Sequence, residues 1–385
     1  MKTTVNRALF WLMEACYFVA YYYQTPIQLS YILTFGVSGS VLGIISSLSS
    51  FVSVIVIPLV PTLTRKFGVK KVFCLGFVLQ ILFFGSYLFA RNVIIIAIAN
   101  IINGVAFGIT MVLMASAVVS IYPQEKSGAV ISLYTMLQAL AQATATSAGI
   151  YVSNLTGYRN NYIVSTLLSF ACLAFCFALS GLEHKPEPAV SAAPAEKGRP
   201  RPMLIPLLLL CAFCGVIMSV VQGYTEPFAR YTGHTAGLEF YFTVFAGGMA
   251  VIRLFLAATI KRLTVRKATL LLSPAVALGM LLMNIQTGAA PLLIGAAFTA
   301  IGIGCLQTLA QFRVFQCYPP QSRERASSIF YFGFYGGMIA GNFSGGYLFE
   351  GWTQSLFFLF YAAISLLPAA CCLVPLGKKN TPITQ

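Results

Sequence analysis

Long apolar runs follow one another along nearly the whole chain. A helix needs roughly 20 apolar residues to cross a bilayer, whereas a membrane β-strand would be a segment of about 10 residues with alternating polarity. The runs have the length of membrane-spanning helices, so the pattern predicts an all-α membrane protein. Twelve spans are predicted, at residues 8–31, 38–62, 72–90, 93–121, 128–154, 160–181, 203–229, 236–260, 268–286, 290–316, 326–349 and 354–376.

The composition supports this interpretation. Hydrophobic residues make up 58% of the 385 residues, charged residues only 9%, and the mean hydropathy is +0.83. Soluble domains carry about 25% charged residues. The lipid bilayer is therefore the expected environment of most of the chain.

Lysine and arginine are distributed unevenly between the loops. The net charge of +15 would suit a nucleic-acid-binding protein, but the charges occupy alternate loops. Loops on the side of the two termini carry 19 Lys and Arg, and the opposite loops carry three, Arg91, Arg159 and Arg230. Cytoplasmic loops show such an excess. We expect a multi-pass protein of the cytoplasmic membrane with both termini in the cytoplasm, and no nucleic-acid partner.

A polar segment near mid-chain separates six spans from six. Residues 182–202 contain five prolines among Glu, Lys, Ala and Ser, a composition that does not form a packed core. The expected organisation is an N-terminal six-helix bundle at 1–181, a cytoplasmic linker at 182–202 and a C-terminal six-helix bundle at 203–385.

The two halves repeat weakly in sequence. The basic loop at residues 65–71 recurs at 261–267, an offset of 196 residues, and the same offset relates Gly108 to Gly304 and Gly149 to Gly345. Unrelated coincidences would not share one offset. Parallel repeats of this kind occur in secondary transporters.

With its twelve spans, its central loop and the repeated basic loops, the chain resembles the major facilitator superfamily. The family's signature loop, Gly-x-x-x-Asp-Arg-x-Gly-Arg-Lys, matches in its core at residues 65–71, and the turns at Gly157 and Gly351 are similar to the family's Gly-Trp-Arg turns. Its loop aspartate falls at Arg65. Span 4 reads Asn100-x-x-Asn103-Gly104, where many proton-coupled members have Arg-x-x-Gln-Gly.

The resemblance implies that spans 1, 4, 7 and 10 line a central cavity. In span 1 the polar residues recur every three or four positions, which places them on one helix face. Polar stripes in lipid-embedded helices face protein or water. The candidate substrate-cavity residues are Tyr17, Tyr21, Gln24, Asn100, Asn103, Gln222, Glu226, Gln307 and Gln311.

Two acidic residues stand out within the spans. Glu14 is the only acid in the body of the first six, and its burial suits it to carry a proton or to meet a cationic substrate. The alternative is a structural pair with Arg7 or Arg313. Glu226 is a second acid of the pathway or an interfacial partner of Arg230.

The repeated basic loops are the candidate cytoplasmic gate. Their residues are Arg65, Lys66, Gly68, Lys70 and Lys71 in the first loop and Lys261, Arg262, Arg266 and Lys267 in the second, with Arg253 in span 8 as a further gate candidate. The alternative is that these charges only fix the orientation of the chain in the membrane. For Arg253 the alternative is a side chain that extends to the membrane surface.

The sequence favours a proton-coupled secondary active transporter that moves a small solute by alternating access. A drug or metabolite efflux antiporter is the alternative within this class. A non-transporting receptor stays open, whereas an embedded enzyme is disfavoured because both histidines, His184 and His234, fall in loops. No P-loop is found. We expect a monomer in the lipid bilayer that binds a small-molecule substrate and protons, without cofactor or metal.

Overall fold

The computed structural model describes residues 2–120, 127–179, 204–259, 263–285, 287–318, 323–350 and 355–373. The helical class is confirmed, since no strand occurs within these ranges. The α-helices are α1 (Lys2–Gln24), α2 (Gln28–Leu33), α3 (Gly39–Val56), α4 (Val60–Phe67), α5 (Val69–Phe89), α6 (Val93–Ser120), α7 (Ser127–Thr156), α8 (Tyr158–Ala178), α9 (Leu204–Tyr231), α10 (Leu238–Thr259), α11 (Val265–Asn284), α12 (Ala289–Gln316), α13 (Arg323–Leu348) and α14 (Phe357–Leu373).

Proline explains why two of the predicted spans are each divided into two helices. Short 3-10 segments, Thr25–Ile27 and Ile57–Leu59, connect α1 to α2 and α3 to α4, and each carries a proline at its start. Proline lacks the N–H that continues an α-helix, so the hydrogen-bond pattern changes while the chain direction is kept. Each pair therefore corresponds to one apolar run of the sequence.

Eight of the described segments are long and apolar enough to cross a membrane: the α3–α4 segment, α5, α6, α8, α9, α10, α11 and α12. The apolar helix α14 is shorter, at 17 residues. Apolar side chains such as Phe89, Leu254 and Leu271 are largely exposed. Such exposure on long helices is typical of a surface that faces lipid.

The helices pack mainly within two halves, residues 2–179 and 204–373. In the first half α1 packs on α7 and α8, α5 on α6 and α8, and α3 on α6; in the second, α9 packs on α12 and α13, α11 on α12 and α14, and α10 on α12. Between the halves α3 packs on α13, α7 on α10, and the α2 region on α9.

The halves meet closely at one end of the bundle. There α3 begins and α13 ends, and Gly43 and Gly346 bring the two backbones into direct contact. We call this the closed end. The loops 34–38 and 232–237 lie there. We call the opposite end the linker end, since α8 ends there at Ala178 and α9 begins there at Leu204.

Glycine permits a similar close approach inside the second half. A Cβ atom at Gly337 would overlap the carbonyl oxygen of Ala212 on α9, whereas a Cβ at the neighbouring Gly336 would meet nothing. Small residues let membrane helices approach in this way. The contact between α9 and α13 therefore depends on Gly337.

Gly337→Ala should lower the melting temperature of the detergent-purified protein by several degrees, because overpacking costs about 1–3 kcal/mol. Gly336→Ala is the matched control and should leave the melting temperature unchanged or raise it, since alanine favours helix. Equal effects of the two substitutions would contradict the packing assigned to Gly337.

Candidate substrate pathway

A buried carboxylate joins the halves at the closed end. Glu226 on α9 is completely buried. It accepts hydrogen bonds from Ser30 Oγ on α2, from Tyr158 Oη on α8 at 3.3 Å, and from Arg230 Nε one turn further along its own helix. It also forms an ion pair with Arg230. The carboxylate thus contacts two helices of the first half.

Arg230 extends this cluster. Its second nitrogen, Nη2, donates to Asn154 Oδ1 on α7 at 2.7 Å, and its guanidinium lies over the Tyr158 ring, 5.3 Å from the centroid. Hydrogen bonds between charged groups are the stronger ones in proteins. We call Ser30, Asn154, Tyr158, Glu226 and Arg230 the closure cluster.

Neutral hydrogen bonds also join the halves. Thr243 on α10 bonds to Ser147 Oγ at 2.7 Å and donates to the Ala143 carbonyl at 2.8 Å. The Asn342 amide approaches the Ser46 carbonyl at 3.4 Å. The hydrogen bonds between the halves in the described chain therefore concentrate toward the closed end.

A second polar network lies inside the first half. Gln28 Nε2 donates to Tyr87 Oη at 2.8 Å and to Asn100 Oδ1 at 2.9 Å, and Asn100 Nδ2 donates to Tyr87 Oη at 2.8 Å. Tyr162 stacks on Tyr87 with centroids 4.5 Å apart and approaches Gln24 Oε1 at 3.5 Å. Two cavity candidates, Gln24 and Asn100, are thus buried and bound to neighbouring helices of their own half.

Aromatic side chains of both halves meet about midway along the helices. Tyr21 on α1 lies 5.1 Å from Phe107 on α6, and Phe107 meets Tyr335 on α13 edge-on at 6.0 Å. Tyr331 stacks on Tyr335 at 5.7 Å, and Tyr22 packs edge-on against Tyr21 at 5.4 Å. We call Tyr21, Tyr22, Phe107, Tyr331 and Tyr335 the tyrosine cleft. Tyr21 and Tyr331 are only half-buried within it.

Glu14 lies on α1 toward the linker end. It is completely buried, and neither carboxylate oxygen has a hydrogen-bond partner in the described chain. One turn away, Phe18 meets Tyr134 of α7 edge-on at 5.6 Å, and the Tyr134 hydroxyl is likewise buried without a partner. An unpaired carboxylate is costly in such a place, so Glu14 is the group best placed to hold a proton.

The other cavity candidates are distributed over four helices, α1, α6, α9 and α12. Tyr17 Oη bonds to Thr110 Oγ1 at 2.8 Å, and Asn103 Nδ2 donates to Ser49 Oγ at 2.9 Å, both within the first half. Gln222 on α9 and Gln307 and Gln311 on α12 are half-buried, and the Gln307 oxygen has no partner in the described chain. Their role in a cavity stays a prediction.

The first basic loop lies at the linker end. Gly68, at φ +87°, follows the last residue of α4. The side chains of Arg65, Lys66 and Lys71 are exposed. Lys70 Nζ donates at 2.9 Å to two carbonyls at the end of α8, those of Phe177 and Leu179. This bond ties the loop to the last residues before the linker.

The second basic loop is described in part. Lys261 and Arg262 lie outside the described residues, and Arg266 and Lys267 are exposed at the start of α11. Arg313 Nη2 donates to the Leu263 carbonyl at 2.6 Å. Arg253 is half-buried inside α10 and is considered below.

Sequence reasoning missed part of this architecture. Ser30, Asn154 and Tyr158 of the closure cluster were not singled out, because uncharged polar residues near span ends are common. Tyr331 and Tyr335 are one helical turn apart in a glycine-rich helix, and this spacing was the available signal for the cleft.

Long apolar helices with exposed apolar faces and polar groups directed inward define a multi-pass membrane protein. The chain belongs to the Major Facilitator Superfamily, whose family model matches residues 10–285 and 208–384. No curated protein matches the sequence significantly.

Solved transporters share the fold. The nucleoside transporter NupG is similar with a TM-score of 0.74 at 14% identity, over 97% of this chain and 98% of that one. The peptide transporter POT in complex with sulfate gives a TM-score of 0.79 at 13% identity, over 96% and 93%. A POT family transporter in complex with 5-aminolevulinic acid gives 0.76 at 12% identity, over 95% of each chain. At such identities the likeness establishes the fold alone.

Glu226→Gln should loosen the closed end, because Arg230 loses its ionic partner and a hydrogen bond to a charged group is worth about 1.5–3 kcal/mol. A reporter cysteine at Leu29, which is 4% exposed and covered by Gly223 of α9, should then react at least about tenfold faster with a membrane-impermeant thiol reagent.

Glu239→Gln is the matched control, since Glu239 lies in the first turn of α10 at the same end and outside the closure cluster. In this variant the cysteine at Leu29 should react with the thiol reagent at the same rate as in the parent protein. An unchanged rate in Glu226→Gln would contradict the role of the cluster in closure.

Proposed function

We propose that the protein is a secondary active transporter that moves a small solute across the cytoplasmic membrane by alternating access. The proposal includes twelve spans in two six-helix bundles, residues 1–181 and 203–385, joined by a cytoplasmic linker at 182–202. The observation that carries it is the closure cluster, which joins the two halves at one end through a few side chains.

Such a closure suits alternating access. In transporters of this architecture one half rocks against the other around a central site, and each state must be held by contacts that the next state breaks. The closure cluster is small, and Arg230 retains 33% of its side-chain exposure, so water can solvate the guanidinium when the halves part. A contact of this kind can be made and broken in every cycle.

The orientation proposed for the molecule follows from charge. The linker end holds the basic loop at 65–71 and the starts of α9 and α11, and lysine and arginine favour the cytoplasmic side. The closed end, with Arg91, Arg159 and Arg230 as its loop or near-loop cations, would then face outward. In this state the transporter would be closed to the outside, and we propose that it works as a monomer.

Glu14 is the proposed coupling residue. The ionisable groups around it are Tyr17 and Arg7 on its own helix, Tyr134 on α7 and Cys172 on α8, which donates to the carbonyl of the adjacent Met13 at 3.4 Å. None of these is ion-paired to Glu14 in the described chain. A carboxyl in this position is stable when it carries a proton, and charging it requires a change in its surroundings.

Topology provides the first test. A cysteine introduced at Ala192 in the linker should resist an impermeant thiol reagent added to intact cells, whereas one at Gly233 should react, because Gly233 lies in the exposed loop after α9. Permeabilised cells provide the control, in which both positions should react. Reaction of position 192 in intact cells would overturn the proposed orientation.

The coupling role is tested by Glu14→Gln in liposomes, with a solute found by thermal-shift screening of the purified protein, since ligands stabilise the folded state. The parent should exchange the solute and accumulate it under a pH gradient. The variant mimics the protonated carboxyl, so exchange should persist while accumulation falls at least about tenfold toward equilibrium.

A parent that binds the solute but never exchanges it would contradict the transport function. Accumulation that survives in the variant would instead remove Glu14 from proton coupling and leave transport intact. A structural role predicts a third result, in which folded yield and both activities decline together.

A further inference from the structure

Arg253 is a cation inside the bundle that has no anionic partner among the described residues. It makes no ion pair or hydrogen bond with the described residues. It lies six residues before the described end of α10, about 9 Å along the axis. A charged group at such a depth normally has a partner or faces a water-filled cavity.

The direction of Arg253 follows from its helix. Residues 246, 249 and 253 share one face of α10, and Ala246 and Met249 are buried. The adjacent residues Leu254 and Phe255 are exposed to the extent of 77% and 69% and form the lipid face. Arg253 therefore projects inward, and it lies within electrostatic range of the Tyr22 hydroxyl in the tyrosine cleft.

The cleft itself offers unused hydrogen-bonding groups. The hydroxyls of Tyr21, Tyr331 and Tyr335 make no hydrogen bond within the described chain. Tyr22 is different, since Gln138 Nε2 donates to its hydroxyl at 3.1 Å. Three tyrosine hydroxyls without a hydrogen-bond partner in the described chain thus lie on rings of one aromatic cluster, to which both halves contribute.

We propose that the tyrosine cleft binds a planar ring of the transported solute and that Arg253 binds a carboxylate on the same molecule. The substrate class is then a ring-bearing carboxylate that also carries hydroxyl or other hydrogen-bonding groups. This assignment rests on the proposed transport function and deepens it.

The chemistry of the site favours this class over others. Aromatic side chains prefer offset or edge-on contact with another ring, and the cleft presents rings of both halves, so a flat solute contacts both at once. The carboxylate supplies the charge that Arg253 lacks, and a bidentate pair with a guanidinium fixes its orientation. A cationic solute would be repelled by Arg253. Glu14 does not neutralise this positive charge, because it is fully buried and forms no ion pair with Arg253.

The test is the thermal unfolding of the purified full chain with four probes at equal millimolar concentration. These are 4-hydroxybenzoate, 4-hydroxybenzyl alcohol, 4-hydroxybenzylamine and cyclohexanecarboxylate, which separate the contribution of the ring from that of the charge. The planar anion should raise the melting temperature by about 3 °C. The other three probes should produce clearly smaller shifts.

Variants then assign the charge and the ring. Arg253→Gln should abolish the advantage of 4-hydroxybenzoate over the alcohol, and Arg253→Lys should retain part of it. Tyr335→Leu should reduce the shifts of the three aromatic probes and spare cyclohexanecarboxylate. The control is Arg91→Gln, in an exposed loop, which should behave as the parent does.

A purely structural role for Arg253 predicts another pattern. Arg253→Gln would then lower the melting temperature without ligand, whereas loss of an unpaired buried charge should leave that temperature unchanged or raise it. The proposal is overturned if the alcohol, the amine or cyclohexanecarboxylate matches 4-hydroxybenzoate, or if none of the four probes stabilises the protein. The proposal would also be overturned if the transported solute is not a ring-bearing carboxylate and Arg253→Gln exchanges it at the parent rate. That result would leave transport itself established.

Discussion

Hydrocarbon cannot form hydrogen bonds, and the rest of this structure follows from that constraint. Every backbone N–H and C=O within the bilayer must find a partner inside the chain, which requires helices over almost all of the described residues. The same constraint directs polar side chains inward. Gln28, Tyr87 and Asn100 satisfy one another inside the first half, and Ser165 donates to the Ala20 carbonyl at 2.9 Å. These polar groups therefore hold helices together within the first half.

The contacts between the halves are of a different kind. They include glycines that bring backbones together, hydroxyls such as Ser147 and Thr243, the edge-on contact of Phe107 with Tyr335, and the closure cluster. Rocking requires that the packing within each half persists while the contacts at the boundary change.

Most of the fold was predictable because lipid imposes a simple rule on sequence. The helix ends at α5, α6, α9 and α12 lie within about three residues of those predicted from the apolar runs. The first span is less well predicted, since α1 begins at Lys2 and the predicted span begins at residue 8. Helix formation continues into the polar residues at the surface, where hydropathy gives no signal. The 3-10 segments also require local geometry that hydropathy does not describe.

The candidate site was predictable only in part. A polar stripe identifies an inward face, but it does not distinguish residues that bind a solute from those that bind another helix. Gln24 and Asn100 share this pattern with Tyr21, yet their partners lie inside the first half, whereas Tyr21 meets Phe107 and through it the second half. Pairings between distant helices depend on their rotation and depth, and the periodicity of one helix contains neither.

The glycine contact between α3 and α13 has a consequence for how this protein can change over evolutionary time. At Gly43 and Gly346 a side chain of any size would overlap the backbone of the opposite helix. Neither glycine can therefore be replaced while the helices keep their present distance. Most contact positions in a protein core permit compensating exchanges of volume. Here no smaller residue exists to compensate, so these two sites can diverge only if the helices themselves move apart.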